Sequence, residues 1–205
     1  MENNLKNVGV FEFFNSVSVS LVNYERNYDF LQSVPHKKYM DLAIIVKWKI
    51  DNLDDERSED GIYIDISNKD IQSWGISAEE MINIALANTI NLNRPFLAPL
   101  NTIVQDMDLP ADNVFLLTNH QMYYGASLIC YKDIMELIYE RMESEYYVIP
   151  SSIHEVLIIK DDDMINPTYM KDAIRCINEF YLQDSDYLSD NLYKYSSIER
   201  KLLIV

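Results

Sequence analysis

Glycine, cysteine, histidine and basic residues are all scarce in this chain of 205 residues, and each shortage removes a class of chemistry. Gly9, Gly61, Gly75 and Gly125 are the only glycines, and they are too widely spaced to write a phosphate-cradling loop, a dinucleotide fingerprint or a nucleophile elbow. Cys130 and Cys176 fall in an apolar run and on an expected helix, which gives neither a disulfide framework nor a cysteine metal site and suits a reducing cytoplasm. His36, His120 and His154 are far apart with no helical His pair, so neither a metal nor a cofactor is expected. Lys and Arg number 17 against 33 Asp and Glu, a formal net charge of -16. A surface of that sign repels phosphate backbones and anionic membranes, so direct nucleic-acid binding is not expected, and it suits a basic protein partner. The same acidity would also serve solubility alone. Long apolar runs are missing too. No stretch approaches the ~18 residues that span a bilayer, and MENNLKNVGV has no basic segment followed by an apolar one, so neither export nor a membrane span is expected.

What is present is an ordinary globular composition, 48% hydrophobic and 24% charged, from which one folded domain over 1–205 is expected. Val10, Phe14, Val17, Leu21, Tyr24, Tyr28 and Leu31 step by fours and threes, which predicts a long amphipathic helix ended by Pro35. Its near-heptad spacing makes residues 10–31 a candidate homodimer contact. A rival alternation of Val17, Val19 and Leu21 with Ser16, Ser18 and Ser20 sits inside it, and the longer seam outweighs this pattern. Residues 40–50 and the alternating Ile62, Ile64 and Ile66 read as an antiparallel pair. Between them, DNLDDERSED is a solvated loop rather than a calcium site, because Gly61 in the sixth position of an EF-hand loop would put Ser67 where the bidentate Glu belongs.

Ser77 with Glu80 forms a capping box, with Ile76 and Met81 as its staple, so a helix starts here and runs to about Asn91. Pro95, Pro99 and Pro110 break 94–112 into a short helix between loops. The apolar runs 113–118 and 126–131 flank NHQMYYG and predict a hairpin, with Gly125 free to take a positive φ. Ile134, Leu137, Ile138 and Arg141 share a helical face, and the apolar runs 146–149 and 156–159 read as two buried strands. Asn166 as N-cap and Pro167 behind it start a last helix whose Met170, Ala173, Ile174, Ile177 and Tyr181 face the core. A short helix is expected at 188–195.

Several phrases stand out: LVNYERN (21–27), SVPHKKYMDLAIIV (33–46), WGISAEEMINIALANT (74–89), LLTN (116–119), YGASLICY (124–131), YVIPSSIHEVLII (147–159) and LSDNLYKY (188–195). Together they resemble a bacterial family catalogued as a domain of unknown function, number 5688, over about 20–195. The resemblance implies a shared fold and no particular activity. It also implies a further N-terminal region in longer members, which this chain is expected to lack.

The densest group of chemically able side chains is the corner between the two central strands. There Ser151 or Ser152 could act as nucleophile and His154 as base, with Glu155 orienting the imidazole. On an extended strand His154 and Glu155 would point to opposite faces, which counts against that site unless the chain turns. The plainer reading makes the serines turn-formers and His154 a hydrogen-bonded strand residue. Asn119, Tyr123 and Tyr124 form a second polar cluster at a loop tip, where binding residues often sit. The fifteen tyrosines suit protein interfaces.

These readings converge on an α+β fold: an antiparallel sheet of about five or six strands with four helices packed on it. Two functions are expected from it. One is a cytoplasmic, non-catalytic protein-binding module that contacts a basic partner through Tyr-rich acidic patches such as Asp54, Asp55, Glu56, Glu59 and Asp60, in its narrowest form a nucleic-acid mimic that inhibits a defence nuclease. The alternative is a small hydrolase or ligand-binding enzyme using Ser151, Ser152, His154 and Glu155 with Asn119.

Overall fold

In the computed structural model, which describes residues 12–50, 62–103, 113–162 and 165–205, a helical stretch at residues 12–15 leads into strand β1, Val17–Asn23. The long helix expected over 10–31 does not form across these residues, and the candidate dimer contact goes with it. A spacing of four is even, so Val17 and Leu21 share a face in a strand as well as in a helix. The valines at 17 and 19 are β-branched and favour the strand. Every residue of β1 pairs antiparallel with β3, Leu42–Ile50, from Val17 opposite Trp48 to Asn23 opposite Leu42. One helical turn, α1 (Tyr28–Leu31), and strand β2 (His36–Tyr39) lie between them in sequence. Strand β4, Ile62–Asp65, pairs with the far end of β3 as expected, and these four strands make the smaller sheet.

Two capped helices follow. In α2, Asn68–Trp74, Ser67 and Asp70 form a capping box that the sequence reading overlooked, and Gly75 closes the helix in the left-handed region at φ 70°. In α3, Ala78–Leu92, the Ser77 hydroxyl accepts from the Glu80 N–H at 3.2 Å while the Glu80 carboxylate accepts from the Ser77 N–H at 2.9 Å. Helix α3 also protects the free edge of β1. The Val19 N–H donates to the Thr89 hydroxyl (2.9 Å), and the Asn88 amide donates to the carbonyls of Phe14 and Val17, so backbone groups that would invite another strand are already bonded.

The larger sheet has six antiparallel strands, in the order β10 (Lys201–Ile204), β9 (Tyr193–Ser196), β7 (Tyr146–Ile149), β8 (Val156–Lys160), β6 (Val114–Asn119) and β5 (Pro95–Pro99). Its edge strand β5, Pro95–Pro99, stands where only loops and a short helix were expected; proline is tolerated at an edge because it need not donate to a ladder. The short helix does follow, as α4, Leu100–Ile103. Strand β6 is Val114–Asn119, but the run after it is no strand. Residues Gly125–Cys130 form a buried 3-10 helix, since an unbroken apolar run carries no period by which to choose. The positive φ values in this turn belong to Met122 (52°) and Tyr124 (56°) rather than to Gly125. Helix α5, Lys132–Met142, leads into β7 (Tyr146–Ile149) and β8 (Val156–Lys160), which pair as expected.

Helix α6, Pro167–Phe180, is capped by the Asn166 side chain, whose Oδ1 accepts from the N–H groups of Thr168 and Tyr169. The expected helix at 188–195 is instead loop and strand β9, Tyr193–Ser196, followed by β10, Lys201–Ile204. Tyr193 and Tyr195 alternate with Lys194 and turn inward, fully buried, so period two governs this segment.

The main core lies between α3, the smaller sheet and the inner face of the larger one. Val19, Leu21, Ile44 and Met81 meet Leu128, Ile138, Val148 and Tyr193 there. The outer face of the larger sheet carries α6, with Ile174 packed with Tyr147 and Leu192.

Candidate functional site

Pro150 ends β7, and the chain then folds into a tight serine turn. The Ser152 hydroxyl donates to Glu155 Oε1 at 2.8 Å and accepts from the His154 N–H at 2.9 Å, while the Ser152 N–H donates to the Glu155 carbonyl at 3.2 Å. This turn removes the objection that His154 and Glu155 lie on an extended strand, since β8 begins only at Val156. It directs them to different tasks. His154 Nδ1 accepts from the Tyr124 N–H at 3.2 Å, so the neutral ring carries its proton on Nε2, which lies 3.7 Å from Asp186 Oδ1. The Ser152 hydroxyl proton goes to Glu155 and not to the imidazole. Ser151 faces away, into a cleft beneath α6.

The loop tip meets this corner directly. Asn119, almost wholly buried, donates to the Tyr123 carbonyl at 2.7 Å and accepts from the N–H groups of Gln121 and Tyr123, which closes the loop on itself. Gly125 is needed for close approach: a Cβ there would stand 2.6 Å from the His154 carbonyl, 2.8 Å from the Asn119 nitrogen and against the Thr118 hydroxyl, which itself donates to the His154 carbonyl. The rings of Tyr123 and Tyr124 lie 4.6 and 5.6 Å from the His154 ring, and Tyr63 joins them at 5.2 and 5.1 Å. These are packing distances that leave no gap for a cation between rings. Burial, reinforced by Tyr123, pushes the Tyr124 hydroxyl above its ordinary range. The structure therefore brings Ser152, His154, Glu155, Asn119, Tyr123 and Tyr124 together as one joint between the sheets, with their polar atoms turned on one another. Asp54, Asp55, Glu56, Glu59 and Asp60, and the loop read against the calcium pattern, lie outside the described residues.

A second joint was missed. Asp41, in the turn between β2 and β3, accepts from the Ser189 hydroxyl at 2.5 Å, the Asn191 amide at 2.9 Å and the Tyr193 hydroxyl at 2.8 Å. Burial, with the Asp41 carboxylate beside it, pushes the Tyr193 hydroxyl far up. Nearby, the Asn23 amide donates to the Leu188 carbonyl at 3.0 Å. A lone acid between the apolar runs of 40–50 was the available signal.

The third feature is apolar. On α6, Ile177 is 53% exposed, and at the end of the helix Tyr181 is 83% exposed, so these two do not face the core as expected. With Tyr169 and Phe180, 75% and 69% exposed, they form a patch on the outside. Beside it a cleft of about 180 Å³ opens between α6 and the sheet residues Ile149 and Leu157. Among the described residues no three His, Cys, Asp or Glu side chains are grouped to hold a metal ion, and no helix is long and apolar enough to cross a membrane.

A family model described as a family of unknown function, DUF5688, matches residues 7–197. The chain belongs to this family. The DUF5688 phrases fall on the strands, helices and joints just described: LVNYERN and LSDNLYKY meet through Asn23 and Leu188, Asp41 of the second phrase reaches Ser189, and LLTN holds the serine turn through Thr118 and His154. No curated protein and no solved structure matches the chain.

Proposed function

We propose that this DUF5688 chain is a non-catalytic module that binds a basic protein in the cytoplasm through the outer face of α6. The observation that carries the reading is the exposed group of Tyr169, Ile177, Phe180 and Tyr181. Clustered apolar and aromatic side chains cost solvation while they face water, and tyrosine at such a place gives large contact area with a polar end. The net charge of -16 supports a basic partner, because it speeds encounter with one and repels acidic competitors. Inhibition of a nuclease by nucleic-acid mimicry is the narrowest form of the proposal and rests on that charge alone. The hydrolase reading needs a Ser152 proton within reach of the His154 ring, and that proton is bonded to Glu155 instead.

The test is affinity capture from the native host with the wild-type chain and a Tyr169→Ser, Phe180→Ser double variant in parallel, compared by quantitative mass spectrometry. Both side chains are well exposed, so the variant should fold as the wild type does. A partner enriched by the wild type and depleted by the double variant supports the reading. Equal recovery of every captured protein by both refutes it.

A further inference from the structure

We infer that the cleft beside α6 receives an amphipathic helix of the partner protein, its apolar stripe seated in the cleft and Lys or Arg beside that stripe. This deepens the protein-binding reading and rests on it. The cleft-lining positions of α6 are Tyr169, Met170, Ala173, Ile174, Ile177 and Asn178, spaced by threes and fours along the helix. At ~1.5 Å rise per residue the cleft runs beside α6 for roughly 13 Å, between two and three turns. Its far wall is the outer face of β7 and β8, where Ile149 and Leu157 are direct partners in the ladder.

Size and position select the occupant. Drug-sized ligands sit in pockets of roughly 300–1,000 Å³ that enclose most of their surface. A cleft of about 180 Å³ open along one side takes a row of side chains instead. An extended strand would need a free sheet edge for its backbone, and this cleft lies on a sheet face next to a helix. A segment docking there must satisfy its own N–H and C=O groups, which a helix does.

Charge selects the flank. Asp172 and Glu179 are exposed on α6, but Lys171 and Arg175 share the helix and Arg175 pairs with Asp172 at 3.7 Å, so α6 itself is balanced and the sign of the flank is set by the net charge of the chain. The whole chain stands at -16, so a second copy would bring like charge to like, whereas a stripe bordered by Lys or Arg meets opposite charge.

The test uses the full chain and a fluorescein-labelled synthetic peptide of Leu, Lys and Ala, with Leu at i, i+3, i+4 and i+7, long enough to match the 14 residues of α6. Its controls are a scrambled peptide of the same composition and a version with Glu in place of Lys. Fluorescence anisotropy at physiological salt should give binding at least about tenfold tighter for the ordered Lys peptide than for either control. Ile177→Glu should weaken it by about tenfold or more, while Leu137→Glu, at an exposed site on α5, should leave it unchanged. Equal binding of ordered and scrambled peptides, or indifference to Ile177→Glu, would overturn the inference. Sedimentation equilibrium showing a dimer that Ile177→Glu abolishes would overturn it in favour of a second copy. A host partner that depends on Tyr169 and Phe180, found alongside peptides that show no preference, would sink the helix and leave the protein-binding reading standing.

Discussion

Replacing Asp41 by alanine should be among the most damaging single changes outside the apolar core. The carboxylate accepts from three side chains, Ser189, Asn191 and Tyr193, and the first and last of these are fully buried. Hydrogen bonds to a charged acceptor contribute about 1.5–3 kcal/mol each, and a buried donor left without one costs about 1–3 kcal/mol. The three share one acceptor and are not independent, so a total of about 3–5 kcal/mol is expected rather than their sum. That is a large share of the 5–15 kcal/mol typical of a folded domain. At about 2–4 °C per kcal/mol for a chain of this length, the melting temperature should fall by roughly 6–20 °C. Thermal unfolding followed by far-ultraviolet circular dichroism reads this directly, and urea titration gives the free energy. Asp41→Asn, which keeps one acceptor oxygen and the side-chain shape, should fall between wild type and alanine. A melting temperature for Asp41→Ala within about 2 °C of wild type would refute the view that this carboxylate ties the C-terminal strands to the smaller sheet.

His154→Ala removes the acceptor of the Tyr124 N–H and two ring contacts, and should cost about 2–3 kcal/mol; an unchanged melting temperature would return His154 to the list of residues kept for chemistry. Gly125→Ala forces a methyl group against the backbone at Asn119 and His154 and should cost about 3 kcal/mol or more, read as insolubility or a lowered urea midpoint, and wild-type stability would contradict the close approach. The Ser197 N–H, with the Ser197 hydroxyl and Lys194, holds the Glu145 carboxyl below its ordinary value of 4.5. Because the folded value lies below the unfolded one, this contribution is complete above the ordinary carboxylate range and is lost as the pH falls through the lowered value. Glu145→Gln should therefore melt below wild type at pH 7 and converge with it in acid, and a gap that does not change with pH would exclude the linkage.

The parts of the fold legible in the sequence were those marked locally. Ser77 with Glu80, and Asn166 with Pro167, name the starts of α3 and α6 within a few residues, and the apolar runs of β3, β7 and β8 are bounded by turns. The errors fell where a local signal serves two structures. Residues 17 and 21 share a face at either period, Ala126 to Ile129 is buried all round, and Tyr193 with Tyr195 looks as apolar in a helix as in a strand. The serine corner was legible as a cluster, but the bonds that decide its chemistry were not: His154 is tied to Tyr124, thirty residues away, and Asp41 to Ser189 across 148 positions. Ile177 and Tyr181 read as core residues because spacing shows which residues share a face and not how much of that face the sheet beneath can cover.

The most direct measurement of the central claim is the affinity of the captured host partner for the wild-type chain and for Ile177→Glu, titrated at two salt concentrations. Binding through the α6 face to a basic partner predicts a loss of about tenfold or more with Ile177→Glu, and weaker association at the higher salt as the ~8 Å screening length of physiological buffer shortens. Equal affinity for the two chains at both salt concentrations would place the partner elsewhere on the molecule and contradict the account.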